Sequence, residues 1–391
     1  SMVKTMPTHM DLWDQFGRIL LNFDKYKEGD REKAQRRAAE FVKENYETLH
    51  EGAVVSWEWA YEWNVDDPVE LSALHHAMVF YYEEGEEAFN YECQCKIDKD
   101  DDSAEAIIAN PELIVTRISH LPRFKVPQEC AHVVTHVDMN DEILTYVTMA
   151  SGDRLRPYII DYGTYPPQVT PHWRKKKLHK HLSELYPDIP KGSVGTLFGR
   201  AIKDLSKIIA NTLYTREDGV QLQNRYIGFD AHYETDEVIK GCRESDVRAF
   251  CIPVQGLYYG HKDKPLMEQP RSTDRDLHYH CFTAPSSDKT VPILRVDINY
   301  MKTLLHRGFI LSPGNIGSVQ LFLPESQQDH YPFARHCNAE FPTPMANIKE
   351  ERVVIEWTQH RDRDNEYFDN SVGCLALLFK IGCTLKETIK T

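Results

Sequence analysis

The sequence predicts an α/β fold class, a mixed β-sheet flanked by helices and preceded by a smaller helical segment. Three observations predict it. Residues from about 10 to 95 carry strong helix formers and helical periodicity. Beyond a stretch of acidic and small residues from Asp98 to roughly Pro111, apolar runs of strand length alternate with helical patterns. Three aspartates, Asp138, Asp230 and Asp369, stand at the ends or starts of such elements, far apart in the chain.

Length and composition set the frame. At 391 residues the chain holds two domains, a helical segment at 1–100 and the α/β domain at 111–391. Its longest apolar runs fall well short of the roughly 18 residues that span a bilayer, and no charged-then-apolar leader opens it. No membrane partner is therefore expected, and a cytoplasmic location is. Nine cysteines, with Cys93 and Cys95 as C-x-C and the rest scattered, predict reduced thiols and no zinc site. The net charge of −14 opposes broad attraction to DNA, so any grip on phosphate must be local. Acid is concentrated at Glu83 to Glu87 and Asp98 to Asp102. The main basic cluster runs from His172 to His181, with Arg174, Lys175, Lys176 and Lys177 beside Trp173. It suits a phosphate backbone, and equally a solvated loop leading into a helix.

The elements follow in order. Asp30 to Asn45 is rich in helix formers, and Glu70 to Tyr82 repeats apolar residues near a 3.6 period after Pro68. His75 and His76 cannot share one helix face, which excludes paired metal ligation there. No G-x-x-x-x-G-K-[S/T] occurs, so a phosphate loop for ATP is absent. Ala131 to Val137 and Ile143 to Met149 read as hairpin strands joined by the turn Met139 to Glu142, with Arg156 to Asp161 a third strand. A helix at about Thr196 to Leu213 would put Leu197, Ala201, Leu205, Ile208, Ile209 and Leu213 on one side. Asp218-Gly219 turns the chain into the strand that Asp230 closes, and Thr235 is set to cap the next helix. Val247 to Val254 and Val291 to Val296 supply further strands, and the last helix runs from Asn370 to Gly382. Hairpin strands first and β/α alternation after suit an RNase H-like mixed sheet.

A single Asp at a strand end is most simply a cap or a turn former. Two strand carboxylates and one helix carboxylate that converge can instead hold two hard divalent cations about 3.5–4 Å apart around a scissile phosphate, with no protein nucleophile. Without cations the charges repel, so at least one carboxyl should be shifted up. Other acids compete for the role. Asp141 suits a turn, Asp161 ends a strand with a route to the cleft, and Asp297 suits a helix cap with Lys302 one turn on, in reach of phosphate. His278 and His280 alternate along a predicted strand and, without a second pair at zinc spacing, read as a polar strand face. Trp357 reads as packing.

Leu121-Pro-Arg-Phe-Lys-Val-Pro127 ahead of the Asp138 strand, Tyr158 to Pro166, the Asp230 strand with Thr235-Asp-Glu-Val238 behind it, Arg295 to Lys302, and Glu356-Trp357 leading into Asp369 have a familiar order and spacing. Together they resemble the C-terminal part of lambda-like bacteriophage terminase large subunits. The resemblance implies an RNase H-like nuclease domain preceded by the tail of the ATPase region, with the ATP site upstream. It implies a metal-dependent DNA endonuclease using two Mg²⁺ or Mn²⁺ ions, Asp138 bridging both and Asp230 and Asp369 each completing one. It implies double-stranded DNA, the small terminase subunit and the portal protein as partners. One departure stands out: the family commonly has His after the Asn that precedes its helix aspartate, whereas Glu366 follows Asn365 here, opening an outer ligand role for Glu366. A junction resolvase of the same fold and a catalytically silent docking module are the alternatives. Branched substrates test the first and Mn²⁺ calorimetry the second.

Overall fold

The computed structural model describes residues 3–21, 30–55, 70–84, 89, 108–269, 275–347, 352–361 and 363–385. The chain divides into two compact units, Ser1–Ser103 and Ala104–Thr391. Among the described residues no helix is long and apolar enough to cross a membrane.

In the first unit β1 (Val3–Thr5) pairs antiparallel with β2 (Val54–Val55), and the rest is helical: α1 (Met10–Leu20), α2 (Asp30–Glu44), α3 (Tyr46–His50) and α4 (Ala73–Glu84). Trp13, Phe16, Leu20, Val42, Leu49, Leu74 and Met78 form its core, and the Trp13 indole N–H donates to the Leu49 carbonyl at 2.9 Å. His75 and His76 face different partners, the backbone N–H of Leu71 and the carboxylate of Glu70. Cys93, Cys95 and the acidic stretch at 98–102 lie outside the described residues.

The second unit is built on one ten-stranded sheet. In chain order come α5 (Pro111–Ile114), β3 (Ile118–Pro122), β4 (Lys125–Val126), β5 (His132–Asn140), β6 (Ile143–Ser151), β7 (Tyr158–Tyr165), α6 (Leu182–Leu185) and α7 (Val194–Asn211). Then follow β8 (Tyr214–Arg216), β9 (Gln221–Leu222), β10 (Tyr226–Asp230), α8 (Thr235–Glu244), β11 (Cys251–Leu257), β12 (Asp276–His278), β13 (Cys281–Pro285) and β14 (Pro292–Asp297). The chain closes with α9 (Ile298–Ile310), β15 (Gln320–Leu323), α10 (Tyr331–Cys337), β16 (Glu340–Asn347), β17 (Arg352–Gln359) and α11 (Glu366–Ile381). The sheet order is β12-β13-β14-β11-β10-β5-β6-β7-β15-β3. β5, β6 and β7 form an antiparallel meander, and β10, β11 and β14 add in parallel beyond β5. This is the RNase H-like mixed sheet that the strand order predicts.

Period-2 alternation sends the two faces of the sheet into different cores. Val137, Met139, Ile227 and Phe229 pack under α7 and α8 with Phe198, Ala201, Leu205 and Val238. Val134, Val147 and Met149 pack with Val372, Leu375, Leu377 and Leu378 of α11. The even-numbered residues of β5 and β10 therefore look toward α11, and Asp138 and Asp230 are among them.

Several sequence expectations shift. The strand carrying Asp138 runs on to Asn140, leaving only Asp141-Glu142 as the turn, because ladder pairing continues to Asn140↔Ile143. Ile208 and Leu213 are about half exposed, since α7 spans Val194–Asn211 and its buried stripe is Leu197, Ala201, Leu205 and Ile209. Thr235 is the first helical residue of α8 and not its cap; Glu234 precedes it in the left-handed region, and the Thr235 hydroxyl donates to the Ala231 carbonyl. His280 sits past the end of β12 at a positive φ and stacks on Tyr300, so it does not share a strand face with His278.

Candidate active site

Asp138 lies in β5 opposite Thr145, Asp230 ends β10 beside Val254, and Asp369 occupies the first turn of α11. All three line one cleft of about 240 Å³, together with His136, His232, Gly256, Ile298 and Lys302. The close approach of α11 to the sheet depends on two glycines. A Cβ on Gly373 would overlap the His136 ring, and one on Gly228 would come 2.9 Å from it.

Each carboxylate has its own partners. Asp138 Oδ2 accepts from the Asn140 amide at 2.9 Å, and Asp230 Oδ1 accepts from the His232 backbone N–H at 3.2 Å. Asp369 Oδ2 accepts from the Asn365 amide at 2.7 Å, and its Oδ1 lies 3.1 Å from the Lys302 ammonium. Lys302 is almost fully buried, one helical turn beyond the α9 cap, and also donates to Glu340 Oε1 at 2.6 Å. Among the described residues no ion pair reaches Asp138 or Asp230.

The electrostatics follow from these partners. Burial, with Asp230, Glu366 and Asp369 nearby, pushes the Asp138 carboxyl well above the usual carboxylate range, against a smaller pull from Lys175. Burial and then Asp369 push Asp230 up to about 6, although the His232 N–H opposes them. Burial alone would lower Lys302, but Asp369 and Glu340 outweigh it and hold the ammonium above its ordinary value. His136 is lowered to about 4 by burial. Its Nδ1 lies 2.9 Å from Asn370 Oδ1, whose own amide donates to Thr145, so Nδ1 carries the proton and Nε2 is the acceptor.

The other sequence candidates fall elsewhere. Asp161 lies inside β7, not at its end, and is held by Arg123 through Nε and the guanidinium fork, so it does not reach the cleft. Asp297 accepts from the Tyr300 N–H as the α9 cap. Asp141 sits in the hairpin turn, and Trp357 is buried with its indole N–H on the Thr303 hydroxyl. Glu366 is buried at the start of α11, paired with the Lys175 ammonium and 3.4 Å from His336 Nδ1, and does not line the cleft.

The basic cluster is a turn fastened to this end of α11. Lys177 N–H donates to the Arg174 carbonyl, Lys175 N–H to Asp364, and the Trp173 indole to the Tyr367 hydroxyl. Trp173 is buried and unavailable for stacking on bases. Glu340 escaped the sequence reading because nothing in its local pattern marks it. His136 had a readable signal: it lies two residues before Asp138, hence on the same strand face.

A sequence profile of the terminase large subunit gpA endonuclease domain matches residues 104–388. The chain belongs to that family. It carries the endonuclease domain of a phage packaging terminase, a nuclease that acts on DNA phosphodiester bonds. No curated protein and no solved structure matches it.

Proposed function

We propose that Asp138, Asp230 and Asp369 are the catalytic carboxylates of this terminase endonuclease, cutting concatemeric double-stranded DNA with two Mg²⁺ or Mn²⁺ ions. The observation that carries the reading is that acids from two strands and a helix line one cleft, and two of them have no cation partner among the described residues. The donor set is all oxygen, which suits hard divalent ions. Among the described residues no three His, Cys, Asp or Glu side chains converge closely enough to cage a single ion. Ions held by one or two carboxylates each, with water and phosphate oxygens completing the shell, do not require such a cage. Asp138 and Asp230 would hold one ion, and Asp138 and Asp369 the other. When bound, the ions supply an activated water and stabilisation of the leaving oxygen.

The remaining residues orient and neutralise. Asn140 and the His232 N–H fix the Asp138 and Asp230 carboxylates, and Asn365 and Lys302 fix Asp369. Arg174, Lys175, Lys176 and Lys177, on the turn fastened to α11, lead the phosphate backbone toward the cleft, and Lys302 meets the phosphate inside it. The unit before Ala104 lies outside the family match, and by the resemblance we read it as the tail of the ATPase region. The small terminase subunit and the portal protein are the proposed partners, in the host cytoplasm.

Asp230→Asn tests the assignment, since it removes a ligand charge with little change of volume. Cleavage of linear duplex in Mn²⁺ should fall below detection, with the circular dichroism spectrum unchanged. Near wild-type cleavage refutes the role of Asp230.

A further inference from the structure

The three carboxylates are not equivalent, and the difference concerns which of them the protein has already neutralised. Both oxygens of Asp369 are engaged, Oδ1 by the Lys302 ammonium at 3.1 Å and Oδ2 by the Asn365 amide at 2.7 Å. The same two donors converge on Glu340 Oε1, at 2.6 Å from Lys302 and 2.7 Å from Asn365. The ammonium also lies 5.2 Å from the centroid of the Phe368 ring. Lys302 is 7% exposed and Glu340 4%, so this is a buried, doubly anchored cation and not a surface lysine sampling the cleft. Asp138 and Asp230, by contrast, receive only neutral donors, the Asn140 amide and the His232 N–H.

We propose that Lys302 is the resident cation of the Asp369 position, so that in the absence of DNA the cleft takes up a single divalent ion, between Asp138 and Asp230. The inference rests on the metal-dependent reading above and deepens it. A second divalent ion beside an ammonium meets like-charge repulsion in a poorly solvated site, where Coulomb energies are several times those in water. It also finds few open oxygens, because those of Asp369 are already hydrogen-bonded. DNA changes both terms: phosphate oxygens complete the ion's shell, and phosphate charge gives the ammonium another partner. Lys302 thus acts as a positioning residue that keeps the site half-loaded until DNA arrives. Glu340, 38 residues along the chain from Lys302, holds it in place.

The experiment is Mn²⁺ binding to the full chain without DNA, read by calorimetry and by the electron spin resonance signal of free Mn²⁺. Wild type should bind about one ion tightly. The double variant Lys302→Met with Glu340→Gln removes one charge of each sign, so the fold is not left with a buried unpaired acid. It should bind about two, with the second site at least about tenfold tighter than any weak second site in wild type. Glu340→Gln alone keeps the ammonium and leaves Asp369 as its acid partner, so this variant should still bind about one ion tightly. Two equivalent ions in wild type, or a single ion in the double variant, overturns the role of Lys302. No tight ion in wild type, or Mn²⁺ binding unchanged in Asp230→Asn, sinks the metal assignment itself and is recognisably a different failure.

Discussion

Asp161 is buried and Asp138 half-buried on strands of one antiparallel meander, and their surroundings are opposite. Asp161, on β7, is clamped by Arg123, which reaches over from the turn after β3 and also donates to the Tyr162 carbonyl. Asp138, on β5, faces Asp230 and Asp369 with no cation paired to it among the described residues. Glu366 has Lys175, and Glu340 has Lys302. The buried acids Asp161, Glu340 and Glu366 each have a cation, whereas the half-buried Asp138 and Asp230 have none among the described residues; under the metal-dependent reading proposed above, that is where an added cation would go. Burial by itself therefore does not set the proposed catalytic acids apart; the lack of a cation partner does.

The sharpest way to break this comparison is to neutralise each aspartate's surroundings in turn. Asp138→Asn should reduce DNA cleavage by at least about a hundredfold while leaving the metal-free melting temperature unchanged or higher, since the charge it removes is repelled in the empty cleft. Arg123→Met should do the reverse. It strands Asp161, 5% exposed, and should cost about 2–3 kcal/mol; this is below the full buried-pair value because the Arg123 side chain is 44% exposed. Cleavage per folded molecule should survive. Loss of cleavage in the folded Arg123 variant would mean that Asp161 serves the reaction after all.

pH separates the same two classes. Protons compete with divalent ions for Asp230, pushed up to about 6, and for Asp138, also raised by burial and its acidic neighbours, so Mn²⁺ affinity measured by calorimetry should fall steeply as pH drops through about 6. In metal-free protein the raised Asp230 contributes stability below its ordinary value near 3.8 and loses it as pH rises through about 6. The buried histidines have the opposite sign. His136 and His306, lowered to about 4, and His336, lowered to about 3, contribute stability above 6.5 that is lost as pH falls through those values. Removing Asp230 by substitution should therefore sharpen acid unfolding, and a pH-independent Mn²⁺ affinity between 5 and 8 would contradict the raised carboxyls.

The smallest effect is expected at the basic turn. Replacing Lys175, Lys176 and Lys177 by Ala should weaken duplex binding similarly on unrelated sequences. The slope of log K against log salt should fall by about one for each phosphate that is no longer neutralised. Lys175 should also affect stability through Glu366. Tight, salt-insensitive binding by the triple variant would move the DNA path elsewhere.

Much of this molecule was legible without its fold. Strand-length apolar runs and the hairpin around Asp141 predict the meander, and Asp297 is readable as a cap, because period and turn chemistry act over a few residues. The three aspartates are singled out by where they stand on strands and helix, and they do line one cleft. Partnership was not legible. Arg123 lies 38 residues from Asp161, Glu340 38 from Lys302, and Asn370 234 from His136. No local pattern distinguishes an acid that will meet a guanidinium from one that will meet only other acids. The sequence by itself determined the elements and the faces their side chains take; which buried charges are neutralised was decided only when the sheet brought distant segments together, because desolvation and Coulomb energy depend on neighbours in space.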